Sequence, residues 1–423
     1  MKGLSLIVSR ALLPLWILYF SPRIFAINPP SPETAIVAAD EADPSSKEVQ
    51  EPESKQTAEE KKARDLRKPF LLLPWENADY DLNSPDIWSD ARPDSHAPFG
   101  VMGDHVHRHG EVMLGYHFMY TLMGQYFHGE EQVPLNPTLI NNILKAITGN
   151  PQTHGHVFSD HMNMDMHMFE LMYAPTDNLT LMAMVPYMDM DHFMLHSHEG
   201  MLMTHTHHAE GVGDVSFTAI WKMLDWDRQR VQLNLGFSVP TGSITETFPE
   251  PIHEHEVPLR MFLMQLGSGT VDFLPGLTYL GQRGNLSWGM QHLGVIHTGT
   301  NDEGYTFGDR YLGTGWVAYQ VVPNWVSASV RVQGLAWDRV EGQDRLNALF
   351  FNVHPTFKDP DFQPEFQGGE RVDVSVGLNL LIPEGILKEN RFAAEAGLPI
   401  YQRLNGVQLG TNWWVTGGWQ IKF

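Results

Sequence analysis

The stretch Asn412-Trp413-Trp414-Val415-Thr416-Gly417-Gly418-Trp419-Gln420-Ile421-Lys422-Phe423 carries the most specific structural signal in the chain. Successive side chains of a strand point to opposite faces. Trp413, Val415, Trp419, Ile421 and Phe423 therefore share one face, and Trp414, Thr416, Gln420 and Lys422 share the other. A final aromatic with alternating apolar residues behind it is the kind of signal that barrel-assembly machinery reads. The alternative is an antiparallel sandwich strand that happens to end in Phe.

The same period of two runs back to Glu111 in segments of ten to fifteen residues, separated by turn signals. Twelve segments follow: 111–127, 161–174, 179–190, 212–226, 230–240, 268–280, 285–299, 308–322, 326–340, 371–383, 391–401 and 410–423. Connectors alternate in length. Pro175-Thr176-Asp177-Asn178, Asp227-Arg228-Gln229 and Pro323-Asn324 are short, whereas 128–160, 191–211, 241–267 and 341–370 are long. An even strand number with short turns at one end and long loops at the other is the pattern of a transmembrane barrel. The predicted fold is all-β: an antiparallel barrel of about 12 strands over 111–423, placed in outer-membrane lipid of a Gram-negative bacterium.

Upstream, Lys2 and Arg10 precede an apolar run from Ala11 to Phe20, and Ile24-Phe25-Ala26 resembles a cleavage site, so 1–26 is expected to be a signal peptide. That run is too short for a membrane helix, which needs about 20 apolar residues. Residues 27–68 are rich in Pro, Glu, Lys and Ser and are expected to form a disordered acidic periplasmic leader, where a periplasmic protein could dock. Residues 69–110 form a connector with a His-rich segment, His105, His107 and His109, on the periplasmic side or folded into the lumen. A net charge of -22 argues against a nucleic-acid partner. The absence of cysteine excludes a lipoprotein anchor and any thiolate site.

Alternation assigns each side chain to a face. In the first segment Val112, Leu114, Tyr116, Phe118 and Tyr120 face lipid, while Met113, His117, Met119 and Met123 face the lumen. The next two segments put Met162, Met164, Met166, Met168 and Met172, then Met182, Met184, Met188 and Met190, on the same inward face. Twelve of the 21 methionines thus line three consecutive strands. Thioethers are soft ligands that select Cu(I). They are also adaptable apolar groups that pack irregular space or cradle apolar molecules. The long loops carry His205-Thr206-His207-His208 and His253-Glu254-His255, with the close spacing of imidazole metal sites. Solvated loop polarity and pH sensing are the other readings of these clusters. The expected ligands are Met113, Met119, Met123, Met164, Met166, Met168, Met182, Met184 and Met188. His117 joins them as a lumen partner, and His205, His207, His208, His253 and His255 stand at the outer mouth. No resident cofactor is expected; copper or another transition-metal ion enters only as cargo.

Further motifs carry a family resemblance. They include Gly211-Val212-Gly213-Asp214-Val215, Val239-Pro240-Thr241-Gly242, Gly308-Asp309-Arg310-Tyr311 and Glu395-Ala396-Gly397-Leu398-Pro399-Ile400-Tyr401-Gln402. Gly267-Ser268-Gly269-Thr270-Val271-Asp272-Phe273-Leu274-Pro275-Gly276 and His96-Ala97-Pro98-Phe99-Gly100-Val101-Met102-Gly103 belong to the same set. With these the chain resembles, over about 100–423, a His/Met-rich branch of the outer-membrane transporter family named after the MetA pathway of phenol degradation. The resemblance implies a barrel with a transport role and supplies no catalytic residues. No nucleophile elbow, phosphate loop or dinucleotide fingerprint is present in the sequence, so a non-enzyme is expected. Three functions are carried forward: a channel or binding barrel favouring soft metal ions, an uptake channel for aromatic or apolar molecules, and a non-transporting surface binder with a plugged lumen.

Overall fold

A computed structural model describes residues 66–198, 201–247, 259–353 and 355–423. The signal peptide, nearly all of the leader, and His253 and His255 lie outside the described residues. Twelve long strand elements build the main sheet, to which the short strands Phe70–Leu71 and Glu131–Val133 add. The long elements are β1 (Val112–Gly129), β2 (Val157–Thr176), β3 (Leu179–His198), β4 (Met201–Val212), β5 (Val215–Trp226), β6 (Gln229–Val239), β7 (Val271–Arg283), β8 (Leu286–Thr298), β9 (Arg310–Val322), β10 (Val326–Trp337), β11 (Gly369–Leu381) and β12 (Asn390–Lys422).

Neighbours in sequence pair antiparallel, and the ring closes because β12 pairs β1 while β3 pairs β5. Eleven of the elements form this ring, and β4 stands outside it. The last element, β12, is a hairpin: its part up to Leu404 pairs β11 and its part from Val407 pairs β1. Gly406 turns between them with φ +59°, a conformation that favours glycine. Arg391 donates to Gln420 at 2.7 Å, and Trp419 donates to Asn390 at 2.6 Å, across the two halves. Counting β12 twice, the wall has the twelve staves expected from the sequence.

Inside and outside follow the alternation. Phe169, Leu171, Leu181, Phe217, Leu235, Phe237, Val317, Val330, Val332, Val376 and Leu398 are exposed on the outer surface. Their strand neighbours Glu170, Thr180, Thr218, Asn234, Ser329, Arg331, Ser375 and Glu395 are buried. An apolar exterior around a polar interior is the arrangement a bilayer demands of a barrel. The protein is therefore a transmembrane β-barrel of the bacterial outer membrane.

The connector takes the second of its two expected places, folded into the lumen, and Leu66, within the span assigned to the leader, is already buried in the folded body. One expectation is corrected: the segment 191–211 is not a loop. The strand β3 runs on to His198 and pairs with β4 from Tyr187↔Val212 to His198↔Met201, making a hairpin that extends the wall. Polar residues Asp189, Asp191, His208 and Glu210 stand on its outer side, so this part is clear of lipid. Gly213 joins β4 to β5 where a Cβ would sit 3.0 Å from the Met188 methyl and 3.1 Å from a backbone carbonyl.

The long loops fold over the outer end. Helix α1 (Pro137–Thr148), capped by Asn136 and ended by Gly149, buries Ile140 and Leu144. These pack with Tyr126, Phe158, Met162, Met190, Met194, Met261, Met264, Phe362 and Phe366 in one apolar cap.

A charge placed on the lipid face at mid-strand tests the orientation. Val330→Arg is expected to destabilise the folded barrel by about 2–4 kcal/mol. Leu263→Arg, exposed on the outer cap away from the belt, is expected to be near neutral. Urea titration of refolding into vesicles reads the difference.

Candidate functional site

Residues 66–86 pack at the short-turn end of the barrel, and the stretch from Ile87 to His107 is held in the lumen. This plug enters beside the short turns, where Phe70 and Leu71 pair with Asp225 and Leu224 of β5. Its backbone is then held by wall side chains. Ser287 donates to the Asp94 carbonyl at 2.5 Å, Ser327 to Pro93 at 3.0 Å, Arg391 to Ala97 at 2.7 Å and Gln291 to Met102 at 2.9 Å. Asn234 donates to the Gly103 carbonyl at 2.8 Å. Glu395 accepts from the Gly100 N–H at 2.7 Å, and Thr180 accepts from His107 N–H at 2.9 Å. The plug returns to the short-turn end at Gly110, whose N–H donates to the Ala174 carbonyl at 2.8 Å.

Apolar contacts between plug and wall gather in two clusters. Trp88, Ala97 and Val101 meet Leu280 and Trp316, and Val106 meets Met113, Met172, Met182 and Ile220. Phe99 stacks on His117 with ring centres 4.3 Å apart, and His117 Nε2 lies 2.9 Å from the Glu170 carboxylate.

The methionine wall lies beside the plug and continues above it. Register sets its sulfurs in rows across three strands: Met113↔Met172↔Met182, Met119↔Met166↔Met188, and Met123↔Met162. Met113, Met172 and Met182 are buried against Val106 and Ile220. Met184 packs partly on the same cluster, and Met123, Met164 and Met188 pack partly on the cap. Met119, Met166 and Met168 belong to neither cluster and are only half-buried, although they face inward. They are the thioethers left between cap and plug.

The histidines sort differently from their sequence clustering. His205 and His207 point to the inner side of the β3–β4 hairpin, where the rings of both lie near His196 at 4.5 and 6.5 Å. His208 is on the opposite face, 3.0 Å from Asp191, because neighbouring strand positions alternate. The three do not form one site. His192 and His196, not among the expected ligands, join His205 and His207. Their spacing along β3 matches the inward period, which becomes visible only once 191–198 is seen as a strand.

The segment His105-Val106-His107 of the plug gathers a second group. His105 Nδ1 lies 2.7 Å from Asp104 Oδ1, and the rings of His96 and His107 stand 4.9 Å on either side of His105. His109 instead caps the Pro175 carbonyl at the short-turn end. Burial pushes the His96 and His107 rings below the ordinary imidazole range. Burial opposes the charge of His105 too, but the adjoining Asp104 carboxylate outweighs it and raises that pKa. Sequence reasoning missed Asp104, the immediate neighbour of His105, and His96, which joins the run only through the fold of Ala97–Gly103.

A Ser/His/Asp set also assembles. Ser159 Oγ lies 2.6 Å from His192 Nε2 and 2.5 Å from Asp361 Oδ2. Both partners address the serine, and His192 Nδ1 has no hydrogen-bond partner, so the relay geometry of acyl transfer, in which the acid orients the base, is not formed here. All three are buried, and the set ties the cap to the wall. A hollow of about 540 Å3, lined by Gly124, Gln125, Gln132, Asp160, His161 and Asn412 among others, opens where the β1–β2 ladder ends at Gly124↔His161.

No protein-family model matches the chain, and no curated protein matches it in sequence. Among solved structures it is similar to the COG4313 outer membrane channel from Pseudomonas putida F1. The TM-score is 0.50 at 12% identity, covering 78% of this chain and 100% of that one. It is also similar to a Pseudomonas aeruginosa FadL homologue, at TM-score 0.36 and 10% identity, covering 74% of this chain and 90% of that one. The class defined by fold and interior is a monomer-built outer-membrane barrel with its lumen occupied by its own N-terminal segment.

Burial pushes the Asp361 carboxyl up to about 6, because its apolar surroundings favour the neutral form. A carboxyl raised in the folded state contributes its full stability only while protonated in both states. Its contribution is present below an ordinary carboxylate pKa near 4 and is lost as the pH rises to about 6. The cap is expected to weaken over that window by about 3 kcal/mol at most. Amide exchange of 360–366, corrected for intrinsic rates, checks this, and Asp361→Asn is expected to remove the pH dependence.

Proposed function

We propose that this barrel is a gated outer-membrane conduit for a small solute, with soft copper-type ions as the favoured cargo. The observation that carries the reading is the Met119–Met166–Met188 row, three thioethers on one inward face at the level between plug and cap. Neutral thioethers bind Cu(I) weakly one at a time, and a row of them suits transfer between sites better than storage. The inner His196, His205 and His207 lie on the outward continuation of that face.

Gating follows from how the plug is held. Its contacts are mainly single hydrogen bonds from wall side chains to plug carbonyls, each worth about 0.5–1.5 kcal/mol net, which water can replace. A plug meant to be permanent would be sealed by a large apolar interface, as the outer cap is. This weighs against the non-transporting binder, which a filled lumen alone would also fit.

The second reading is passage of an apolar molecule. The thioether row merges upward with the apolar cap through Met123, Met164 and Met188, a lining that adapts to apolar shapes. The motif resemblance and the word channel attached to the Pseudomonas putida structure support transport in either reading.

Replacing Met119, Met166 and Met188 together by Leu keeps volume and apolarity and removes sulfur. Competition of the refolded barrel with a chromogenic Cu(I) chelator under reducing conditions is expected to show bound Cu(I) that the triple variant loses. Equal retention by both proteins would rule out the thioether row as a metal path. Unchanged copper binding with impaired uptake of an apolar solute would favour the second reading.

A further inference from the structure

We propose that the plug itself carries a transition-metal site, formed by His96 and His105 with His107 beside them and Asp104 supporting His105, that takes a borderline divalent ion such as Zn(II). One ligand atom from each of His96, Asp104 and His105 already lies within 4.8 Å of the others. A tetrahedral ion with bonds of about 2.0–2.1 Å sets its ligand atoms roughly 3.3 Å apart. His107, its ring 4.9 Å from that of His105, is the next imidazole beside this group.

The second observation is the state of the imidazole nitrogens. His96 Nδ1, His105 Nε2 and His107 Nε2 are each buried without a hydrogen-bond partner. The His105 and His107 side chains are only 7% and 5% exposed. A buried imidazole nitrogen facing other imidazoles with nothing to bond is costly unless an ion takes its lone pair. Asp104 holds the other nitrogen of His105 at 2.7 Å, fixing the tautomer that leaves Nε2 as the free lone pair, and its second oxygen accepts from the Ala97 N–H at 2.7 Å. A carboxylate behind a ligating histidine is the usual support of a zinc site. Arg391 is the nearby charge that opposes an ion. Its guanidinium is turned to the Ala97 carbonyl, Asn379 and Gln420 at 2.7–2.8 Å.

Imidazole and carboxylate donors favour Zn(II), Cu(II) or Ni(II) over Cu(I), so this site differs in chemistry from the thioether row and does not rest on it. Its place gives it a consequence. His96 and Asp104 bracket the Ala97–Gly103 segment that Arg391, Gln291, Asn234 and Glu395 hold in the lumen. An ion bound across this segment staples the plug in its seated form.

The test is Zn(II) competition of the full-length refolded protein against a chromogenic chelator, with His96→Ala, His105→Ala and Asp104→Asn. The tightest Zn(II) equivalent is expected to be lost in the histidine variants and weakened roughly 10–100-fold in Asp104→Asn. It is expected to persist in His205→Ala and His208→Ala and in the triple Met-to-Leu variant. Retention of that equivalent in His96→Ala and His105→Ala would overturn the site. Should the histidine variants fail to fold, as judged by heat-modifiable gel mobility, the unsubstituted protein decides. Zn(II) is expected to slow amide exchange across 97–103, and exchange indifferent to Zn(II) would overturn the proposal.

Discussion

A closed barrel turns half of every strand's side chains inward, and in this chain those include Lys222, Arg230, Arg331 and Arg391, all buried. A buried charge left alone costs several kcal/mol, so each needs partners. Arg331 finds Glu395 at 2.7 Å, and Arg230 finds Asp225 at 3.1 Å. Arg391 finds the carbonyl of Ala97. The wall supplies some of these partners and the plug supplies the rest. The polar interior that makes the exterior fit for lipid is thus also what seats the N-terminal segment.

That dependence explains what could be read from the sequence. The wall strands follow from period two, because one face of each meets lipid and the alternation is written directly in residues such as Val330 beside Arg331 and Leu398 beside Gly397. The inward assignment of Met119, Met166 and Met188 follows from the same rule. The plug had no such signature. Its carbonyls do the bonding, and a backbone acceptor leaves no mark on residue type, so Asp94 to Gly103 reads as part of a connector without period.

Two other features were hidden for related reasons. The strand β4 carries His205 and His207 on one face and His208 on the other, and with polar groups on both sides the alternation disappears. Which methionines are free of neighbours depends on where the plug stops and the cap begins. Met113 and Met168 look alike in sequence, yet the first packs on Val106 and the second belongs to neither cluster. His96 and Asp104 are eight residues apart and meet only because the plug doubles back in the lumen.

The arrangement places three layers along one axis. An apolar cap built from loops and α1 closes the outer end, the thioether row lies beneath it, and the hydrogen-bonded plug fills the part toward the short turns. Passage in either direction requires the plug to leave its hydrogen bonds while the wall stays closed, a separation that a barrel with a continuous backbone ladder permits.

The most direct test is to lock the plug. The chain has no cysteine, so Asp94→Cys with Ser287→Cys introduces a single pair where plug and wall touch. Ionic current through the reconstituted protein is then followed before oxidation, after it, and after reduction. The account predicts that oxidation links the pair, suppresses the current, and that reduction restores it. A current unchanged by a completed cross-link, or no current in either state, would contradict a gate formed by residues 66–110.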